Sequence, residues 1–137
     1  MRRIIALDIG SVRIGVAVSD PLGFFAQGIA VLHAADNWLE DLAKIVSGYD
    51  APLLLVGLPR RTDGSEGPET EKIRAVAENI RGRSPQTEIK FWDERFTTVI
   101  AQQALIEADV SRSGRKNKVD KIAAAVLLQS YLDQNKA

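Results

Sequence analysis

Three short apolar runs stand close together at the start of the chain: Ile4 to Leu7, Ile14 to Val18 and Ile29 to Leu32. Gly10-Ser11-Val12-Arg13 and Asp20-Pro21-Leu22-Gly23 supply turn chemistry between them. A parallel pair needs a crossover of about a dozen residues or more. Connections this short therefore predict antiparallel neighbours. The pattern then becomes helical: Trp38, Leu39, Leu42, Ile45 and Val46 form one stripe, with Asp36 or Asn37 as N-cap and Gly48 as the stop. Leu53 to Val56 reads as a buried strand, entered through Pro52 and left through Gly57-Leu58-Pro59. A helix over Glu69 to Arg81 turns Ile73, Val76, Ala77 and Ile80 inward, and a strand follows at Ile89 to Trp92. Helices are predicted from about Thr98 to Ala108 and from about Val119 to Asp133. The latter would place Val119, Ile122, Ala123, Val126, Leu127 and Ser130 on one face. Arg60 to Pro68 and Ser111 to Lys118 read as mobile loops. Three meandering strands followed by alternating helix and strand predict an α/β domain with a five-stranded mixed sheet flanked by helices.

A chain of 137 residues with 45% hydrophobic content suits one domain, residues 1–137, with one core. Cysteine is absent, which excludes zinc fingers, iron–sulfur ligation and a disulfide framework. His33 is the only histidine, so an imidazole triad or a histidine-based metal site is not expected, and His33 reads as a strand-end surface residue. The basic Met-Arg-Arg start resembles a signal peptide, but its apolar run stops at Asp8, too short for a secretory h-region. No stretch approaches a membrane span. A cytoplasmic protein is the expectation.

The chemistry is concentrated in three carboxylates. Asp8 ends the first apolar run, Glu94 follows the run ending at Trp92, and Asp120 opens the last predicted helix. Acids on three such elements can converge and bind a hard divalent cation, Mg²⁺ or Mn²⁺, which prefers oxygen ligands. Two such ions can clamp the attacking and leaving oxygens of a phosphodiester. Net charge is uninformative, with 18 Lys plus Arg against 18 Asp plus Glu. Its distribution says more, because Arg112, Arg115, Lys116, Lys118 and Lys121 surround the single acid Asp120. A basic cluster beside a suspected catalytic acid suits a phosphate-rich substrate. It would equally serve as a solvated loop.

Each motif also has a structural alternative. Asp8 to Asp20 carries Gly10 at the turn, where a phosphate or metal could approach the backbone, and small Gly15 and Ala17 on the second strand. An ordinary hairpin with an acidic end would look similar. The polar loop Asp63-Gly64-Ser65-Glu66-Gly67-Pro68 leads into a helix whose free amides could hold an anion, or is a connector that Pro68 closes. Asp93 and Glu94 point to opposite sides of a strand, so one of them faces the same side as Asp8. Asp120 could instead serve the first turn of its helix.

Together these blocks resemble the YqgF family, also called RuvX, whose members carry the names Holliday junction resolvase and pre-16S rRNA nuclease. The resemblance runs from Ile5 to about Leu132. It rests on Asp-x-Gly-x-x-Arg-x-Gly-Val-Ala-x-Ser-Asp at 8–20, Gly-Leu-Pro with Asp-Gly-Ser-Glu-Gly at 57–67, Asp-Glu-Arg-x-Thr-Thr at 93–98 and Val-Asp-Lys-Ile-Ala-Ala at 119–124. It implies a ribonuclease H-like fold and a metal site made by Asp8, Glu94 and Asp120, and it favours Glu94 over Asp93. RuvC resolvases carry two acids on the last helix, whereas Ala123 and Ala124 follow Asp120-Lys121 here.

The combined expectation is a metal-dependent endonuclease acting on structured nucleic acid, of the junction-resolving type. Arg13, Arg95, Arg115, Lys116, Lys118 and Lys121 would hold the sugar–phosphate backbone without reading bases. A four-way junction needs two cuts, which a twofold homodimer would supply. Cleavage of precursor 16S rRNA is the rival substrate. A nucleotide-binding module and a non-catalytic nucleic-acid scaffold are the rivals of another class.

Overall fold

The computed structural model describes residues 3–59, 63–94 and 115–135, the side chains of 115–120 excepted. Five strands form one sheet: β1 (Ile4–Ile9), β2 (Arg13–Ser19), β3 (Ala26–His33), β4 (Leu53–Leu58) and β5 (Glu88–Asp93). Their spatial order is β3-β2-β1-β4-β5. β1–β2 and β2–β3 are antiparallel, while β1–β4 and β4–β5 are parallel. Among the described residues the helices are α1 (Trp38–Gly48), α2 (Pro68–Arg83) and α3 (Arg115–Gln134).

Short connections produce the antiparallel half, as expected. Between β1 and β2 the amide of Gly10 donates to the Arg13 carbonyl at 2.9 Å. A Cβ on residue 10 would stand 2.8 Å from that same oxygen, so only glycine closes the turn without displacing backbone. At the β2–β3 end, Asp20 Oδ1 accepts from the amides of Phe24 and Phe25 at 2.7 and 2.9 Å. The β2–β3 pairing slips between Val16 and Ala17, so that Val16 faces Ala30 and Ala17 faces Gly28. The slip is a β-bulge that leaves Ile29 as the extra residue on β3.

The sheet is buried on both sides. Ile5, Leu7, Ile14, Val16, Leu54, Val56 and Leu58 face α1 and α2, with Leu42, Ile73 and Ile80 from those helices. Ala6, Ala17 and Leu55 face α3, against Ala124, Ala125, Leu127, Leu128 and Leu132. Strand alternation produces the split: the α1/α2 side takes large residues and the α3 side takes mainly small ones. Small residues let α3 lie close. A Cβ on Gly28 would meet Lys121 Cβ at 2.6 Å. Each fully buried Leu or Ile contributes roughly 1.5–3 kcal/mol relative to exposure.

The elements are longer than the sequence suggested. Each strand runs one or more residues past its apolar run, because the ladder bonds are made by the backbone and do not need an apolar side chain. Gly48 is the last helical residue of α1 and not a stop beyond it; the reversal is made by Asp50, the one described non-glycine residue with positive φ (50°). Asn37 occupies the N-cap position without a side-chain capping bond. Pro68 is the first residue of α2, following Gly67. Arg115 to Lys118, expected in a loop, belong to the last helix, and Asp120 does not open it. The predicted single apolar stripe is also too narrow: Ala124, Ala125 and Leu128 are buried beside Ile122, Val126, Leu127 and Ser130. Arg60 to Thr62 and the helix expected from Thr98 to Ala108 lie outside the described residues.

Candidate active site

Asp8 sits on the central strand, between two glycines. Its partner on β2 is Gly15, and continuing the Leu7↔Val56 pairing by one residue sets Gly57 of β4 beside it. Alternation turns Asp8 to the α3 side, with Ala6. Trp92 of β5 points to the same side, where it packs with the α3 cluster. Glu94, two residues on and half-buried, follows it.

The two carboxyl groups meet. Glu94 is hydrogen-bonded to Asp8, and its pKa is raised to about 7. Burial is the largest cause, followed by the charge of Asp8, the hydrogen bond to Asp8 and the charge of Asp93. Below about pH 7 the Glu94 carboxyl therefore keeps its proton, which it donates in the hydrogen bond to Asp8. Both side chains present oxygens only, and their mutual repulsion is relieved by a shared proton or by a cation. This donor set fits a hard divalent ion, which binds carboxylate oxygens. Gly57 completes the fit, since a Cβ there would stand 2.9 Å from Glu94 Oε1 and 2.9 Å from Leu127 Cδ2.

The flanks of the site are held by α2 and α3. The Thr70 hydroxyl donates to the Pro59 carbonyl at 2.6 Å, tying the start of α2 to the exit of β4. Trp92 Nε1 donates to Ser130 Oγ at 3.3 Å, and its ring meets Tyr131 edge-on at 5.1 Å. The strand that leads to Glu94 is thus braced directly against α3.

Of the expected site residues, the fold brings Asp8 and Glu94 together, on the side shared with α3. Asp93 follows the opposite direction and acts on Glu94 through its charge. Arg13 begins β2, two residues before Gly15 and on the same side as Asp8. Lys121 is half-buried over Gly28 of β3. The backbones of Arg115, Lys116, Lys118 and Asp120 belong to α3, but their side chains, and all of Arg95, lie outside the described residues. Among the described residues no group of three or more His, Cys, Asp or Glu gathers at metal-binding distance. Gly57 was legible only as part of a strand exit. Its role as a neighbour of Glu94 depends on strands distant in sequence.

A family model described as RuvX, Holliday junction resolvase, matches residues 2–134. The chain belongs to the RuvX family. Within it, a Clostridium botulinum protein named "Putative pre-16S rRNA nuclease" is 47% identical over 133 residues, 96% of each chain. Proteins of the same name from Clostridium beijerinckii and Desulforamulus reducens are 46% and 47% identical over the same coverage. RuvX membership places the chain among nucleases, which hydrolyse phosphodiester bonds. Among solved structures, Thermus thermophilus RuvC in complex with a Holliday junction substrate superposes with a TM-score of 0.61 at 12% identity, covering 100% of this chain and 98% of that one. Fowlpox virus resolvase with Holliday junction DNA gives 0.60 at 17%, covering 98% and 99%. These likenesses establish the ribonuclease H-like fold. No helix among the described residues is long and apolar enough to cross a membrane.

Proposed function

We propose that this RuvX-family chain is a Mg²⁺- or Mn²⁺-dependent endonuclease of structured nucleic acid, with Asp8 and Glu94 as the central metal ligands and Asp120 as the third. The observation that carries the proposal is the Asp8–Glu94 carboxyl pair on the side of the sheet that faces α3. Two carboxyls held this close are costly unless a proton or a cation lies between them.

When bound, divalent cations supply an activated water and neutralise charge on the attacking and leaving oxygens. The chain's own groups do the rest. Asp8, centred between Gly15 and Gly57, is open to a phosphate because neither neighbour has a side chain to block it. Glu94 must release its proton before it can ligate, so metal binding and proton loss are coupled at this residue. Arg13, at the rim of the same side, would hold a phosphate of the scissile strand. Arg95, Arg115, Lys116, Lys118 and Lys121 would extend that contact along the backbone without reading bases.

Branched DNA is the substrate that the family description supports. Precursor 16S rRNA is the second reading, favoured by the names of relatives at 47% identity over nearly the whole chain. A four-way junction would call for a twofold dimer to make paired cuts. Either substrate would suit a protein of the cytoplasm.

Asp8→Asn is the test of the catalytic proposal. It removes a metal ligand and no phosphate contact, so cleavage should fall by about 10³-fold, several kcal/mol of transition-state stabilisation, while substrate binding persists. A folded Asp8→Asn protein that cleaves at the wild-type rate would overturn the proposal. Wild-type protein assayed at equal concentration on a four-way DNA junction and on a 16S precursor separates the two substrates.

A further inference from the structure

Gly57 stands in the middle of a buried run, Leu54-Leu55-Val56-Gly57-Leu58, on a strand hydrogen-bonded on both sides. Glycine weakens a strand interior, because it gives up conformational freedom and contributes no packing. Some local requirement must offset that cost. Backbone geometry is not the reason, since Gly57 is not among the described glycines with positive φ. What stands over it is specific. A Cβ would come within 2.9 Å of Glu94 Oε1 and 3.4 Å of Glu94 Cγ, with Leu127 Cδ2 of α3 also at 2.9 Å. Both distances of 2.9 Å are shorter than real Cβ atoms show. Gly57 pairs with Trp92, two residues before Glu94, so the glutamate side chain folds back over the strand next to its own.

We propose that Gly57 is a positioning residue: the space left by its missing side chain seats the Glu94 carboxyl against Asp8, with Leu127 of α3 as the second contact of that space. The inference rests on the carboxylate-pair reading of the site and extends it to a residue with no chemistry of its own. A methyl group at position 57 would push Glu94 off Asp8 or turn the Leu127 side chain aside.

The two displacements are separable. Leu127→Val trims the wall on the α3 flank, so in that background a methyl at position 57 collides chiefly with Glu94. The experiment compares Leu127→Val with Gly57→Ala/Leu127→Val by crystal structure and by calorimetric titration with Mn²⁺ in the absence of nucleic acid. The expected result is a Glu94 carboxyl displaced from Asp8 in the double variant, with Mn²⁺ affinity lower by about 10–100-fold, as for loss of a group that orients a ligand. Glu94 remaining on Asp8, or equal Mn²⁺ affinity in two proteins that both bind the ion, overturns the proposal. If neither protein binds Mn²⁺ while Glu94 is displaced, the seat stands and the metal reading falls. Should the double variant fail to fold, Gly57→Ala/Glu94→Asp reads the same collision, because the shorter acid withdraws from the seat. Folding is then expected to recover, and an equally unfolded chain overturns the proposal.

Discussion

Asp8 and Glu94 compete for one proton, and the consequences are measurable in the metal-free protein. Burial and the neighbouring charges of Asp8 and Asp93 raise Glu94 from its ordinary 4.5 to about 7. Below about pH 4.5 both native and unfolded chains hold this proton, and Glu94 carries no penalty. Between 4.5 and 7 the native chain keeps a proton that the unfolded chain has released, so stability falls as pH rises. Above 7 the loss is complete. Urea denaturation across pH 4 to 8 should show this decline, and Glu94→Gln should flatten it and raise stability at pH 8. A wild-type curve that rises through this window would contradict the raised carboxyl. On the proposed metal role, divalent ions would act in the opposite direction: Mn²⁺ would bind only after Glu94 deprotonates, so its affinity should increase with pH through about 7, and its stabilisation of the native state should increase with it.

The elements hold this pair through a few side chains that bridge strands and helices. Gln129 of α3 is one of them: its Oε1 accepts from the Ala26 amide and its Nε2 donates to the Phe24 carbonyl, both at 2.9 Å. It fastens the β2–β3 turn to the last helix, across a sequence separation of more than a hundred residues. Gln129→Ala should cost about 1–2 kcal/mol in denaturant unfolding, because one of the two bonds satisfies a partly buried amide. Cleavage rate should change little, since Gln129 touches neither carboxylate. A loss of activity with unchanged stability would show that this account of the α3–hairpin link is wrong.

At the scale of the molecule, the site exists because the two sides of the sheet are packed differently. Large residues separate the sheet from α1 and α2, whereas Ala6, Ala17, Gly28, Gly57, Ala124 and Ala125 let α3 lie close. Ala124 is fully buried in that contact. Ala124→Leu would overfill it, and overpacking of this kind costs about 1–3 kcal/mol. Because α3 carries Asp120, the proposed third ligand, the same substitution should weaken Mn²⁺ binding in protein that remains folded if that proposal holds. Unchanged thermal stability would mean that the α3 side tolerates more volume than the small residues imply. The tight packing also explains why α3 defeated a reading from one apolar stripe. A helix in a shallow, small-residue bed buries more of its circumference than one resting on large side chains.

Several features of this protein follow from local sequence alone. Short loops forced β1, β2 and β3 into an antiparallel meander, and helical and strand periodicities located α1, β4, α2 and β5, because burial imposes a repeat that needs no distant partner. The four motif blocks were sufficient to indicate the family. Helix ends were less legible: Gly48 and Asp120 looked like boundaries, but ends are decided by backbone bonding and packing, which let α1 include the glycine and let α3 begin five residues before the aspartate. The proton shared by Asp8 and Glu94, and the bare strand beneath it at Gly57, were decided by tertiary structure. Both depend on the β1–β4–β5 register, which brings residues 8, 57 and 94 together through contacts absent from any local stretch of chain.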